Sequence, residues 1–375
     1  MGYGTMKNFF AGGNTCLGFY SLYHNIIQQK DASKIFIIKG GPGVGKSTFM
    51  KHIGNTMAKK GYDIEQYWCS SDNTSLDGIV IPKLGVCLLD GTAPHIVDPK
   101  TPGAVDEIIH LGDYWDETQL IKNKTPILNT FKNVSQAFQT AYSSLKEAKV
   151  IHDEWSYYVT DSLDLKTVTE ITQQIIKQIF ANAQHQYKDY SASRELFADA
   201  ITPMGLVNQW SSILHNCKNI IVLRGKPGTG KSSTIQKIIN DAKIYGLYTE
   251  VFRSPFDPAK FSGIHIPELQ TAVINPFPND YILNGFTAYI TEINLNAGIV
   301  TNKLSNYDKE VSECRERFWN SINRAINYIA KAKNIHSKLE GYYIPTMNFS
   351  KINEVREKVL QKIIAISNEV NSSKP

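Results

Sequence analysis

Arginine is missing from residues 1–193 of this 375-residue chain. Any step in the amino-terminal half that needs a guanidinium must therefore borrow one. There is no Lys/Arg block either. The net charge of +5 is spread along the chain, which disfavours a nucleic-acid partner, and no RNA-binding signature is present. The five cysteines contain no C-x-x-C pair, which argues against a zinc site or a disulfide framework and fits reduced thiols in a cytoplasm. No apolar run reaches membrane-spanning length, and residues 1–7 lack the apolar core of a signal peptide. The expectation is a cytoplasmic protein with no membrane partner. What remains is ordinary globular material, 42% hydrophobic and 20% charged, in a length that suits two or three domains.

Against this background one octet stands out. Gly40, Gly41, Pro42, Gly43, Val44, Gly45, Lys46 and Ser47 follow the apolar run Ile35, Phe36, Ile37, Ile38 and precede a helical pattern beginning at Thr48. This is G-x-x-x-x-G-K-[ST] in a strand–loop–helix setting. Glycines let backbone N–H groups curl around phosphate oxygens. The helix N-terminus adds partial positive charge. Lys46 is placed to reach the β- and γ-phosphates, and Ser47 to hold Mg²⁺. The motif recurs as Gly225, Lys226, Pro227, Gly228, Thr229, Gly230, Lys231, Ser232 and Ser233, after Ile220, Ile221, Val222 and Leu223. Both loops are expected to bind nucleotide, with Ser232 as the second metal-holding hydroxyl.

The two loops are 185 residues apart. Holding that offset over residues 36–90 and 221–275, sixteen of 55 pairs are identical. Ten lie outside the octet, where chance gives about three, so the chain reads as a tandem duplication. The halves are expected at 1–188 and 189–375, joined through 184–193. Recurring residues include Asp72/Asp257, Gly78/Gly263, Thr15/Thr202, Gly18/Gly205, Lys149/Lys333 and His152/His336.

Each half predicts the same elements: a short helix (17–29), begun by Thr15 and Gly18, then the P-loop strand and its helix. A second strand (63–69) follows, then a turn at Asp77-Gly78 opening a short apolar piece, then a buried strand ending at Asp90. The loop 91–115 leads to a long α-helical hairpin (about 117–183, repeated at about 305–368). Thr125-Pro126 reads as a helix start, and Ile127, Phe131, Val134, Phe138, Ala141, Leu145 and Ala148 as a heptad seam. The predicted class is α/β: two P-loop domains with mostly parallel sheets, each carrying a hairpin.

Asp90, ending an apolar strand, is the candidate metal carboxylate; its counterpart is the amide Asn275. Asp72 is the third candidate catalytic residue beside Lys46 and Asp90. It can orient water, accept a proton or bind the metal, or it can simply form an Asx turn. The loop after Asp90 carries Thr92, His95, Asp98, Asp106, Glu107, His110, Asp113 and Asp116, groups suited to metal, phosphate or a second substrate. The same stretch of repeat two (Asn275, Pro276, Phe277, Pro278, Asn279, Asp280) is largely apolar or neutral. Lys149 and His152 share a helical face; they either pack the hairpin or serve the site as phosphate or proton-relay groups. If hydrolysis at Lys46 requires an arginine, Arg194, Arg224, Arg253, Arg315, Arg317 and Arg324 of repeat two are the candidates; a lysine can also serve.

The stretches 9–15, 38–47, 70–72, 75–78, 89–95, 98–100 and 102–106 resemble a family of tandem P-loop ATPases of Firmicute-type bacteria, within the P-loop NTPase superfamily. The resemblance implies ATP binding and hydrolysis and supplies no substrate. The combined expectation is an Mg²⁺-dependent ATPase with its catalytic site in repeat one and a regulatory nucleotide site in repeat two. The alternatives are a small-molecule or nucleotide kinase, and a nucleotide-gated switch whose hairpins bind a protein partner.

Overall fold

The computed structural model describes residues 2–93, 96–181, 183–185, 193–278 and 285–372. Pro94 and His95 of the polar loop, Asn279 and Asp280 of its counterpart, and 186–192 of the join lie outside the described residues. In chain order the elements begin with β1 (Met6–Phe10), β2 (Gly12–Thr15), β3 (Gly18–Ser21) and β4 (Lys34–Lys39). Next come α1 (Lys46–Lys59), β5 (Ile64–Cys69), β6 (Asp72–Ile81), β7 (Val86–Asp90) and β8 (Asp106–His110). The first helical hairpin is α2 (Glu117–Lys122), α3 (Lys124–Asp161) and α4 (Leu165–Phe180). The second half repeats the plan as β9 (Ser193–Leu196), β10 (Asp199–Thr202), β11 (Gly205–Asn208), α5 (Trp210–Ile213), β12 (Asn219–Arg224) and α6 (Lys231–Ile244). It ends with β13 (Thr249–Arg253), β14 (Phe261–Ile266), β15 (Thr271–Ile274), β16 (Tyr289–Asn294), α7 (Thr301–Leu304), α8 (Asp308–Tyr343) and α9 (Phe349–Ser372).

These elements pack as two compact units. Unit 1 comprises Met1–Gly12, Ser21–Gln139 and Tyr328–Pro375; unit 2 comprises Gly13–Tyr20 and Thr140–Asn327. The units do not follow the sequence halves. The last part of α8 and all of α9 pack with the first P-loop, and the later part of α3 with α4 packs with the second.

Unit 1 is built on a six-stranded sheet in the order β1-β5-β6-β7-β4-β8. All neighbours are parallel except β6, which runs antiparallel to β5 and β7. Ile35, Phe36, Ile37 and Ile38 of β4 are all buried, as a strand covered on both faces requires. Helix α1 buries Phe49, Met50, Ile53, Met57 and Ala58, an apolar face at three- and four-residue spacing. Ile352, Val359, Leu360 and Ile363 of α9 join the same core. Unit 2 has the matching sheet, β16-β12-β15-β14-β13-β9, with β14 antiparallel to its neighbours. Its core combines Ile235, Ile238 and Ile239 of α6 with Ile175 and Ile179 of α4.

Four local expectations are corrected. Residues 17–29 are not a helix. They contain β3, paired with β2, and two short 3-10 turns, Tyr23–Asn25 and Gln29–Asp31. Thr15 and Gly18 make the hairpin turn between β2 and β3. The Thr15 hydroxyl accepts from Leu17 N (3.1 Å) and donates to Gly18 O (2.8 Å), with Gly18 at φ 95°. Second, Asp77-Gly78 is no turn but lies inside the continuous strand β6. A Cβ on Gly78 would sit 2.9 Å from Leu89 Cδ2 and 3.2 Å from Leu88 O, so this glycine serves close strand packing. Third, the segment 91–115 contains β8, parallel to β4. Finally, Phe131, placed on the heptad seam, is 44% exposed, whereas Ala141, Leu145 and Ala148 of that seam are buried.

Two glycine-to-alanine changes in unit 1 should act in opposite directions. Gly54, inside α1, offers ordinary 3.6 Å contacts to Ile64 and Ile79, so Gly54→Ala should stabilise by about 0.5–1 kcal/mol through helix propensity. Gly78→Ala forces overpacking and should destabilise by about 1–3 kcal/mol. Urea unfolding of the two variants checks both signs.

Candidate functional site

In unit 1, β4, β7 and β8 bring their carboxyl ends to one edge of the sheet, where ligands bind in such folds. The first P-loop follows β4. Gly43 (φ 69°) and Gly45 (φ 93°) take left-handed conformations that only glycine adopts cheaply, and Gly45 leads directly into α1. Lys46 Nζ donates to Gly40 O (3.0 Å) and Gly41 O (2.8 Å) and lies 3.6 Å from Asp90 Oδ2. Asp90 faces Ile38 in the β4–β7 register, so strand pairing sets that distance. Its other oxygen accepts from Thr92 N (2.9 Å), and the Thr92 hydroxyl returns to Gly40 O (3.0 Å). Ser47 Oγ accepts from Leu76 N (3.0 Å), tying the loop to the start of β6.

Asp72 opens β6 and is the most elaborately held carboxylate of the site. It accepts from Thr74 N (3.1 Å), Thr74 Oγ1 (2.8 Å), Ser75 Oγ (2.8 Å) and Lys333 Nζ (2.6 Å). Burial raises its pKa, but the Lys333, Ser75 and Thr74 bonds outweigh that and bring it to about 2. The Asx-turn bonds to Thr74 fit the structural reading of Asp72, and the Lys333 bond adds a charge partner 261 residues away in sequence. The donor set of Ser47, Asp90 and Asp72 suits Mg²⁺, which takes one or two carboxylates and completes its shell from phosphate and water. Among the described residues, no cluster of three or more His, Cys, Asp or Glu is gathered to cage a metal.

The second P-loop, in unit 2, repeats the backbone. Gly228 (φ 86°) and Gly230 (φ 91°) are again left-handed, and Ser232 Oγ accepts from Phe261 N (2.9 Å). Lys231 Nζ donates to Gly225 O (2.6 Å) and Lys226 O (2.7 Å). Its surroundings differ. Asn275 occupies the place of Asp90, and burial together with the charge of Lys260 brings the Lys231 ammonium down to about 7. A cavity of about 620 Å³ opens beside this loop, its polar lining including Lys231, Ser232, Asp257, Lys260, Asn275, Asp308 and Arg315. Phe256, Phe277, Phe318 and Trp319 line it as well, with Phe277 stacked on Trp319 at 6.0 Å.

Both loops thus have the strand, the glycine conformations, the lysine and the hydroxyl of a phosphate cradle. The KAP family P-loop domain matches residues 16–369, nearly the whole chain. The chain belongs to that family. It is a nucleotide-binding P-loop NTPase. Curated proteins and solved structures gave no match to it.

In this KAP-family chain each P-loop is overlain by a long helix from the opposite sequence half. In unit 1 the end of α8 approaches so closely that a Cβ on Gly41 would lie 2.8 Å from Tyr343 and one on Gly43 2.8 Å from Ile344. In unit 2 the end of α3 does the same: a Cβ on Gly228 would lie 2.5 Å from Ser156 O, and Thr160 Oγ1 donates to Gly228 O (3.1 Å). The duplicated lysines ride on these helices. Lys333 bonds Asp72, and Lys149 lies 3.7 Å from Asp257 while also pairing with Asp153.

The arginines named from sequence fall in unit 2. Arg194, Arg224 and Arg253 hold Glu250, Glu292 and Glu195. Arg317 and Arg324 face Glu154 and Glu147, and Arg315 borders the second cavity. The cation that the structure brings to Asp72 is Lys333, whose signal in the sequence was its recurrence with Lys149. The polar loop is largely explained by local bonds. Asp98 pairs with Lys39, Glu107 with Lys34 and Lys362, and His110 with Asp113. Buried Asp106 accepts from Lys100 N, Thr101 N and Gln29, and Asp116 caps α2. No helix among the described residues is long and apolar enough to cross a membrane.

His152 packs between Phe256 and Phe318. Burial, aided by Lys260, lowers its pKa to about 4, so it is neutral at pH 7 and fits the packing reading better than the phosphate one. Its folded value lies below the unfolded value of about 6.5, so between the two the unfolded chain binds the extra proton. The stability His152 contributes is therefore full above pH 6.5 and is lost as pH falls toward 4, by up to about 3 kcal/mol. His152→Phe should flatten the fall in unfolding midpoint between pH 6.5 and 5; an unchanged slope would contradict this.

Proposed function

We propose that this KAP-family chain hydrolyses ATP with Mg²⁺ at the first P-loop and uses the second as a regulatory nucleotide site. The observation that carries this reading is the 3.6 Å approach of Lys46 to Asp90, for which the second site offers only Asn275. In the first site Gly40–Ser47 backbone N–H groups would cradle the phosphates, and Thr48, the next residue of α1, adds its N–H at the helix start. Lys46 would neutralise charge on the transferred phosphoryl group, and Ser47 with Asp90 would hold the metal, which supplies charge neutralisation when bound. Asp72 is placed by Thr74, Ser75 and Lys333 as a fixed carboxylate, suited to orienting water rather than to carrying a proton, because its pKa of about 2 makes it a poor base. In the second site Gly225–Ser232 and Ser233 would bind phosphate in the same way.

The close seating of α8 and α3 on the two loops favours a second reading, a nucleotide-gated switch in which the helix ends report occupancy. It predicts negligible turnover by the intact protein. Steady-state ATPase assays decide between the two. Hydrolysis by the wild type should fall at least about 100-fold in Lys46→Ala, while Lys231→Ala stays within about threefold. Equal losses would contradict the assignment of unequal sites.

A further inference from the structure

We propose that the second P-loop site binds its nucleoside polyphosphate as the metal-free anion, with the ammonium of Lys260 taking the charge-neutralising place that Mg²⁺ fills in the first site. The inference rests on nucleotide binding at that loop and deepens it. The two sites can be matched by a shared bond, since Leu76 N donates to Ser47 Oγ in one and Phe261 N to Ser232 Oγ in the other. The residue just before that donor is Ser75 in the first site and Lys260 in the second. Ser75 gives its hydroxyl to Asp72 (2.8 Å), whereas Lys260 Nζ stands 4.0 Å from Asp257 Oδ2. The second difference is Asn275 for Asp90. A carboxylate is lost and an ammonium gained, so the site moves two charge units toward positive.

That change is the wrong one for a divalent metal and the right one for a phosphate chain. Mg²⁺ demands hard anionic oxygens and sheds water reluctantly. The second site offers a hydroxyl, an amide and the carboxylates of Asp308, at the start of α8, and Asp257; beside Asp257 stands Lys260 (4.0 Å), where the first site has Ser75. A dication placed there meets ammonium groups of like charge. A polyphosphate meets Lys231 and Lys260 across the same cavity, and lysine serves phosphate well as a point charge.

The test is ATP binding by calorimetry to Lys46→Ala, which leaves the second site, and to Lys231→Ala, which leaves the first, each in Mg²⁺ and in EDTA. The second site should keep its Kd within threefold in EDTA, whereas the first should lose at least tenfold. Adding Lys260→Ala to Lys46→Ala should weaken binding at least tenfold in EDTA, and Lys260→Arg should restore most of it. A tenfold loss in EDTA at the second site, or no effect of Lys260→Ala, overturns the proposal while leaving nucleotide binding intact. No binding by Lys46→Ala in either buffer overturns both.

Discussion

An ammonium sunk into a glycine loop needs an anion beside it, and the two halves of this chain answer that need differently. At the first P-loop the neighbouring strand delivers Asp90 to within 3.6 Å of Lys46. The loop lysine there is paired with a carboxylate. At the second loop the same strand position ends in Asn275, and Lys260 adds a further positive charge. Lys231 donates to two carbonyls and a hydroxyl, and burial together with the charge of Lys260 brings its pKa down to about 7. The glycine conformations, the hydroxyl contact and the sheet order are nearly the same in both, so the charge around the lysine is what separates the two sites.

A second constraint follows from the way the two compact units draw on both sequence halves. Neither P-loop is completed by its own half of the sequence. The helix end over the first loop and the lysine on Asp72 come from residues 333–344, and those over the second come from residues 149–160. Loss of either hairpin would expose glycines whose missing Cβ atoms leave room for that helix. The exchange also brings a cation to Asp72 in a half without arginine: Lys333 bonds it, and Lys149 lies beside Asp257 in the matching place.

Much of the site was readable in advance. The strand–loop–helix pattern predicts the local structure around Lys46, Ser47, Lys231 and Ser232, because backbone geometry and local sequence agree there. The apolar run ending at Asp90 likewise predicts a strand, which the structure pairs parallel with β4. Three features were hidden for physical reasons. Gly78 read as a turn because glycine serves both turns and close strand contacts, and only the neighbour Leu89 decides between them. The carboxylates of the 91–116 segment suit either a reactive loop or a solvated one, and sequence does not show that Asp106 and Asp116 accept from backbone N–H groups within a few residues. The helix exchange depends on contacts far apart in sequence, 68 positions for Thr160 and Gly228 and 261 for Lys333 and Asp72, for which no local pattern exists. Lys260 falls among five consecutive mismatched pairs, 73–77 against 258–262, so nothing in the sequence singles it out.

The most direct test of unequal sites is the number of ATP molecules bound per wild-type chain, measured by equilibrium dialysis with and without divalent metal. The charge arrangement predicts two in Mg²⁺ and one in EDTA. Two in both buffers, or none in EDTA, would contradict it.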